Sequence, residues 1–148
     1  MASARKSKCL VLLVEDSDDD ALLVEMAFEH LEWFSLVARV PDGHHAIAYL
    51  KGEGLYADRR HNPFPDLILL DLRMPRLDGF AVLQWLQTRQ FDQLQTIVLS
   101  GSEYPLDMRE ALRLGADFYR TKPLRLSRQV SMLKALEKRV LQHRSYTW

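Results

Sequence analysis

Short apolar runs alternate along the chain with segments whose apolar residues recur every three or four positions. Five runs have the length and aliphatic content of strands, and they cover residues 9–14, 36–40, 67–71, 96–100 and 117–121. The segments after each run have helical periodicity and predict helices at residues 21–31, 44–52, 80–90, 105–115 and 127–143. Capping residues 17–20 lead into the first helix. The pattern predicts an α/β protein with the element order (βα)₅.

The predicted strands are apolar at consecutive positions rather than at alternate ones. "CLVLLV" (9–14) and "LILL" (67–70) contain no polar residue. Such runs are typical of strands that are covered on both faces, as in a parallel sheet whose helices lie on both sides. The sequence therefore predicts a doubly wound, five-stranded parallel sheet.

The size and composition fit one compact domain. The chain has 148 residues, of which 47% are hydrophobic, enough for a substantial core. We expect the domain at residues 9–142, with tails at 1–8 and 143–148 and no room for a separate effector domain. The long irregular stretch at 52–65 predicts a surface loop that in part continues the second helix.

Charge and cysteine content narrow the partners and the compartment. Twenty basic and twenty acidic residues balance, so the net charge gives no reason to expect nucleic acid or an anionic membrane as a partner. The single cysteine, Cys9, excludes an internal disulfide, and its place in an apolar run predicts a buried side chain. That run is too short for a signal sequence or a membrane span, so we expect a cytoplasmic protein.

Residues that can carry chemistry follow four of the five predicted strands. The first strand leads into Glu15 and Asp16, the third into Asp71, the fourth ends in Ser100, and the fifth leads to Lys122. The carboxyl ends of parallel strands meet at one edge of the sheet, where open α/β sheets bind ligands. Each group alone is commonly a cap, turn or surface residue, but the placement of all five at one edge indicates a site.

The chemistry of this set indicates a cation and a phosphoryl group. Three carboxylates within a few ångströms repel one another unless a cation lies among them, and an oxygen cluster open to water suits Mg²⁺. Asp71 can attack phosphorus as a nucleophile and form an acyl phosphate. Mg²⁺, Lys122 and the Ser100 hydroxyl can then neutralise the phosphoryl oxygens.

Four segments resemble those of the receiver domains of two-component response regulators. "VLLVEDSDDD" is similar to the family's acidic-pair segment, "LILLDLRMPRLDG" to its phosphoacceptor segment, "IVLSG" to its hydroxyl-bearing strand, and "GADFYRTKP" to its aromatic and Lys-Pro segment. The resemblance extends over about residues 9–140. It implies the flavodoxin-like receiver fold.

The resemblance also implies a role for each matching residue. Asp71 accepts the phosphoryl group, and Mg²⁺ is held by the carboxylates of Glu15, Asp16 and Asp71 and by the backbone carbonyl of Arg73. Glu15 stands where many members have an aspartate, and its longer side chain can reach the metal through water.

The resemblance implies four further features of the site and of its phosphorylated state. Ser100 and Lys122 contact the phosphoryl oxygens, and Ser100 and Tyr119 act as a switch pair. The peptide bond between Lys122 and Pro123 is expected to be cis. Side chains two residues after the acceptor and after the hydroxyl tune the lifetime of the phosphorylated state, and here they are Arg73 and Ser102.

The partners implied by the resemblance are proteins. The segment "LLVEDSDDD", the long loop before "PDLILLDLRMP" and the lack of an output domain look like the stand-alone receivers paired with bacterial phytochrome-type histidine kinases. Signalling then passes to a downstream protein through a changed surface. The last helix has an apolar stripe that either packs on the sheet or forms a homodimer: Val130, Leu133, Leu136, Val140 and Leu141.

Four alternatives stay open from the sequence. A phosphorelay intermediate would use the same site and pass the phosphoryl group to another protein. An Asp-nucleophile phosphatase of the haloacid dehalogenase type would carry a second aspartate where this chain has Arg73. A flavin-nucleotide binding protein would share the fold, but the acidic segment 15–20 would repel phosphate. A degenerate receiver would lack the acceptor, a metal-binding acid or the lysine, and none of these is missing.

Overall fold

A computed structural model describes residues 8–145 of the chain. In this range five strands alternate with five α-helices, and a short 3₁₀ helix follows the second α-helix. In chain order the elements are β1 (Cys9–Val14), α1 (Asp18–Phe28), β2 (Phe34–Val40), α2 (Gly43–Lys51), the 3₁₀ helix (Gly54–Tyr56), β3 (Leu67–Leu70), α3 (Gly79–Gln87), β4 (Gln95–Ser100), α4 (Pro105–Arg113), β5 (Phe118–Thr121) and α5 (Leu126–Ser145). This order confirms the predicted (βα)₅ arrangement.

The five strands form one parallel sheet in the order β2-β1-β3-β4-β5. The chain moves from β1 to β2 in one direction and from β3 through β5 in the other, so the strand order reverses between β1 and β3. These two strands end level with each other, because Val14 lies opposite Leu70. Glu15 and Asp71, the next residues of the two strands, therefore emerge side by side at the switch point.

Two apolar cores cover the two faces of the sheet. In β3, Ile68 and Leu70 pack in the core with α2, α3 and α4, whereas Leu67 and Leu69 pack in the core with α1 and α5. All four side chains are fully buried. Burial on both faces explains why the strand sequence is apolar at consecutive positions, and it confirms the doubly wound sheet.

Most element boundaries differ from the predicted ones by one to three residues, and two of these differences have a clear structural cause. β2 begins at Phe34, two residues early, where a carboxylate oxygen of Glu137 on α5 accepts hydrogen bonds from the backbone N–H groups of Trp33 (2.8 Å) and Phe34 (2.9 Å). The loop after α2 contains a separate 3₁₀ helix rather than an extension of α2, because Gly52 adopts the left-handed conformation (φ 69°) and ends the helix.

The apolar stripe of the last helix packs inside the chain. Leu133, Leu136 and Val140 are buried in the core shared with α1. Packing accounts for these three positions, whereas Val130 and Leu141 are half-buried. The homodimer through the last helix stays a prediction. α5 also continues to Ser145, three residues into the predicted C-terminal tail. The remaining parts of the predicted tails, residues 1–7 and 146–148, lie outside the described residues.

Two predictions made from composition can be compared with the fold. Cys9 is fully buried at the start of β1, as its apolar neighbours predicted. Within residues 8–145, no helix is both long enough and apolar enough to cross a membrane.

Candidate functional site at the carboxyl edge of the sheet

A cleft opens at the carboxyl edge of the sheet, at the switch point. Its volume is about 820 Å³, and its lining comes from the segments that follow β1, β3, β4 and β5. Its polar and charged lining residues include Glu15, Asp16, Asp20, Asp71, Arg73, Ser102 and Lys122. Residues predicted from separate strand ends therefore surround one cavity. Ser100 does not line it, because this side chain is fully buried.

Hydrogen bonds that extend the sheet fix the backbone of Glu15 and Asp71, two of the three residues whose carboxylates are predicted to bind the metal. The backbone N–H of Asp71 donates to the Val14 carbonyl (3.1 Å), and that of Glu15 donates to the Val40 carbonyl (3.0 Å). These bonds extend the ladder one residue beyond the strands, so the acidic side chains leave from ordered backbone. Glu15 and Asp71 are buried and Asp16 is exposed, and carboxylate oxygens of the three lie within 4.8 Å of one another.

Lys122 brings one positive charge into this cluster. Its Nζ lies 2.7 Å from a carboxylate oxygen of Glu15, 2.9 Å from one of Asp20 and 3.3 Å from one of Asp71. The Asp20 contact was not predicted. Asp20 lies in the first turn of α1, where its backbone N–H donates to the hydroxyl of the N-cap residue Ser17 (3.2 Å). The sequence signal for it was the acidic run after Asp16, which also fits a simple helix start.

Burial and the shared Lys122 ammonium together shift the pKa values of the residues in this cluster. Burial raises the pKa of Glu15 to about 7, and the nearby Asp71 carboxylate adds to the rise, while Lys122 opposes it. Burial also raises the pKa of Asp71 despite the Lys122 ammonium. Burial lowers the pKa of Lys122, but hydrogen bonds to Asp20 and Glu15 and the charge of Asp71 raise it above the ordinary value overall. One cation is therefore shared by more carboxylates than it can neutralise.

The Asp-Gly turn signal after the acceptor segment has a packing role. Asp78 is the N-cap of α3, where its carboxylate accepts the backbone N–H of Ala81 (3.0 Å). The N–H of Gly79 donates to the Leu72 carbonyl (3.0 Å), and a Cβ at Gly79 would lie 2.8 Å from the Leu72 Cα. Only glycine allows this approach, which holds the start of α3 against the residues that follow Asp71.

The predicted hydroxyl and aromatic residues are joined by hydrogen bonds through Ser102. The Ser102 backbone N–H donates to the Ser100 hydroxyl oxygen (3.1 Å), and the Tyr119 hydroxyl donates to the Ser102 carbonyl (2.7 Å). Tyr119 is buried, with its phenol directed toward the segment between β4 and α4. β5 is thereby connected to the segment that borders the cleft.

Arg73 is paired with a residue that the sequence did not single out. Its guanidinium donates to a carboxylate oxygen of Asp107 (2.7 Å) in the first turn of α4, and the Ser102 hydroxyl donates to the same oxygen (2.6 Å). In sequence, Asp107 looked only like an acidic residue near a helix N-terminus. Its partners come from two loops that are distant along the chain, so no local signal could identify it.

The peptide bond between Lys122 and Pro123 is trans, since residues 8–145 contain no cis peptide bond. The expectation of a cis bond was therefore wrong for this structure. Trans is the lower-energy isomer of an X-Pro bond unless its surroundings favour cis. The trans form already brings the Lys122 ammonium to Glu15, Asp20 and Asp71.

Comparison with known families identifies this arrangement. The family model of the response regulator receiver domain matches residues 11–134. The chain belongs to this family. Receiver domains are signalling domains, and the match includes all four segments that carried the resemblance in the sequence.

The similar proteins include several response regulators. Response regulator Rcp1 of Synechocystis sp. is 32% identical over 129 residues, which are 86% of each chain. The structure of the phosphorylated cyanobacterial phytochrome response regulator RcpA has a TM-score of 0.80 and 34% identity, covering 91% of this chain and 95% of that one. Response regulator RPA3017 in red light signaling of R. palustris has a TM-score of 0.79 and 35% identity, covering 86% and 90%. These similarities confirm the predicted receiver fold.

The acidic cluster has the composition of a divalent-cation site. Receiver domains bind Mg²⁺ or Mn²⁺ at an acidic pocket. One similar structure is the Mn²⁺-bound form of Rcp1. It has a TM-score of 0.73 and 32% identity, covering 87% of this chain and 91% of that one. In this chain, Glu15, Asp16 and Asp71 offer oxygens at a common point, and burial raises the pKa values of Glu15 and Asp71, so a cation among them would favour their ionised forms. The residues fit a hard cation that prefers oxygen ligands.

Proposed function

We propose that this protein is a response regulator that accepts a phosphoryl group on Asp71 from a histidine kinase and transmits the signal through a changed protein-binding surface. The observation that carries the proposal is the meeting of Asp71 with Glu15, Asp16 and Lys122 at the switch point of the sheet. A nucleophilic carboxylate, a cation site and a fixed ammonium are the groups that phosphoryl transfer to an aspartate requires.

In the proposed transfer, an Asp71 carboxylate oxygen forms the new bond to phosphorus. The bond from phosphorus to the histidine nitrogen of the kinase breaks, and its electron pair stays on the imidazole. Lys122 lies close enough to Asp71 to contact the arriving phosphoryl oxygens, and its pairing with Asp20 and Glu15 limits its movement. Mg²⁺ held by Glu15, Asp16, Asp71 and the Arg73 carbonyl would supply further positive charge.

We assign the readout to the segment between β4 and α4 and to β5. A phosphoryl group on Asp71 would attract the Ser100 hydroxyl, and Ser100 is bonded through Ser102 to Tyr119. A shift of this chain of hydrogen bonds would change the face formed by α4, β5 and α5. Beyond its phosphorylation and dephosphorylation, the proposal assigns the protein no enzymatic reaction.

We assign the kinase to the phytochrome type on the basis of similarity. Two of the similar structures are described by their names as a phytochrome response regulator and as a regulator in red light signaling. Phosphotransfer from a panel of purified histidine kinases would test this assignment. Faster labelling by a phytochrome-type kinase than by kinases of other classes would support it, and equal labelling by all would contradict it.

Phosphorylation itself is tested with a small-molecule donor. We expect acetyl phosphate with Mg²⁺ to add one phosphoryl group to the wild type and none to Asp71→Asn, because an amide cannot replace the attacking carboxylate. Intact-protein mass spectrometry measures the product. Asp18→Asn is the matched control, since this side chain is exposed and pairs with Arg39, and it should be labelled like the wild type. Equal labelling of Asp71→Asn would disprove the assignment.

A further inference from the structure

Asp107 joins the loop after the phosphoacceptor Asp71 to the loop after the buried Ser100 hydroxyl. It accepts the Arg73 guanidinium at 2.7 Å and the Ser102 hydroxyl at 2.6 Å on the same oxygen. Arg73 follows Asp71 by two residues, and Ser102 follows Ser100 by two residues. One carboxylate on α4 therefore connects both sides of the cleft.

The Arg73 side chain lies at the edge of the cleft and is largely exposed to solvent. It lines the cleft, its side chain is 63% exposed, and its guanidinium stacks over the Phe80 ring at 5.7 Å from the ring centre. Exposed ion pairs are weak and exchange readily with other partners. A guanidinium also binds phosphoryl oxygens through two parallel N–H groups, a geometry that matches it well.

A phosphoryl group on Asp71 would be a second anion for Arg73, inside the cleft that Arg73 lines. It carries a charge of about −1.5 to −2 at neutral pH, larger than that of one carboxylate. Arg73 donates one described hydrogen bond to Asp107, and pairing two parallel N–H groups with the phosphoryl oxygens would draw the guanidinium away from that carboxylate. Phosphorylation therefore creates a competition between the phosphoryl group and Asp107 for Arg73.

We propose that Asp107 is a positioning residue that holds Arg73 away from Asp71 and thereby shortens the lifetime of the phosphorylated protein. This inference rests on the proposed phosphorylation of Asp71. Asp107 makes no described hydrogen bond to Glu15, Asp16 or Asp71 and contacts Arg73 only at the guanidinium, so its effect is exerted through the Arg73 side chain.

The chemical step that Arg73 would slow is hydrolysis of the acyl phosphate. A water oxygen forms a bond to phosphorus, the bond from phosphorus to Asp71 breaks, and its electron pair returns to the carboxylate. The proton of the water leaves with inorganic phosphate or to bulk solvent. A guanidinium laid across the phosphoryl oxygens blocks the approach of this water, and a guanidinium held by Asp107 does not.

A second arginine pair on the same helix shows what an ordinary surface pair looks like. Glu110 binds Arg113 at 2.6 Å, both within α4, and the pair is not part of the cleft lining. Asp107 differs because its side chain is only 14% exposed and its two partners come from separate loops. The burial and the second hydrogen bond from Ser102 fix the carboxylate in place opposite Arg73.

A double-mutant cycle tests the inference through the decay of phospho-Asp71. The proteins are the wild type, Asp107→Asn, Arg73→Ala and the double variant, each labelled with acetyl phosphate and then freed of donor. Asn keeps an oxygen that can accept the Ser102 hydroxyl but loses the charge that holds Arg73. We expect Asp107→Asn to lengthen the lifetime about two- to five-fold, the range of an exposed ion pair. The double variant should decay like Arg73→Ala.

Controls separate this inference from charge effects and from the proposed function. Glu110→Gln removes the same charge from the same helix and should leave the lifetime at the wild-type value. An unchanged or shorter lifetime in Asp107→Asn, or the same lengthening in the Arg73→Ala background or in Glu110→Gln, would overturn the inference. If the wild type takes no phosphoryl group, both the inference and the proposed function fail. If the wild type is labelled on Asp71 but the effects of Asp107→Asn and Arg73→Ala on the lifetime simply add in the double variant, only the inference fails.

Discussion

Two buried aspartates at the carboxyl edge of the sheet have opposite electrostatic surroundings. Asp71 shares Lys122 with Glu15 and Asp20, and burial raises its pKa. Asp42 follows β2 and is equally buried, and burial alone would raise its pKa too. Its own partners, however, lower that pKa overall.

The partners of Asp42 form a complete set. One carboxylate oxygen accepts the backbone N–H (2.9 Å) and the Nδ1 (2.8 Å) of His45, and the other pairs with Arg76 at 3.3 Å. Asp42 is also the N-cap of α2. This acid has enough donors for its charge, whereas the Asp71 cluster has too few. The comparison teaches that a satisfied buried acid supports the fold, and that an unsatisfied cluster of acids marks a site for an added cation.

The largest expected effect is stabilisation by Mg²⁺, which should depend on the Asp71 cluster and not on Asp42. We expect Mg²⁺ to stabilise the folded protein by about 2.7 kcal/mol at a concentration one hundred times its Kd, because it binds only the folded cluster. Thermal unfolding with and without Mg²⁺ measures the change. Glu15→Gln should reduce it by removing one of three carboxylates, and Asp42→Asn should leave it intact. An equal reduction in both variants would refute the distinction.

The same substitution at the two positions should change stability in opposite directions. Without Mg²⁺ at pH 7, Asp71→Asn should stabilise the protein by roughly 1 kcal/mol, and Asp42→Asn should destabilise it by a similar amount. Asp71→Asn relieves repulsion while Lys122 keeps Glu15 and Asp20 as partners. Asp42→Asn retains a capping oxygen but loses its attraction to His45 and Arg76. Urea unfolding in EDTA measures both values.

The dependence on pH has a definite sign at each position. The pKa of Asp42 lies below 3.8 in the folded state, so its stabilisation is present above pH 3.8 and is lost as the pH falls through the folded pKa. The pKa of Asp71 lies above 3.8, so its ionisation reduces stability as the pH rises from 3.8 through the folded value. The changes in unfolding free energy caused by Asp42→Asn and by Asp71→Asn should therefore both be smaller in acid than at pH 7. A difference that grows in acid would contradict the assignment.

The smallest expected effect is on the lifetime of phospho-Asp71, and it should differ between two arginines in the loop after β3. Arg73 lines the cleft and Arg76 pairs with Asp42. We expect Arg73→Ala to shorten the phospho-Asp71 lifetime by at most a few fold, because Arg73 shields the phosphoryl group from water only in the fraction of molecules in which it has left Asp107. Arg76→Ala should not change that lifetime. A phosphate-release assay on prelabelled protein measures it, and a slower or unchanged decay in Arg73→Ala would contradict the expectation.

The sequence by itself determined the strand and helix order and the set of residues at the strand ends. Consecutive apolar positions such as 67–70 required burial on both faces, and a parallel doubly wound sheet is the arrangement that provides it. Once that sheet was predicted, topology alone brought Glu15, Asp71 and Lys122 to one edge. These predictions succeeded because they depend on periodicity and connectivity, which are local properties of the chain.

The tertiary structure alone decided which side chains share each charge. Lys122 reaches Asp20 across 102 positions of the chain, Arg73 reaches Asp107 across 34, and Glu137 on α5 extends β2 by bonding to Phe34. Asp42 and Asp71 are both acids after strands, yet one is neutralised and the other is not. Such pairings depend on distances of a few ångströms between separate elements, because electrostatic energy and hydrogen bonding fall off steeply with separation. Local sequence patterns contain no information on those distances.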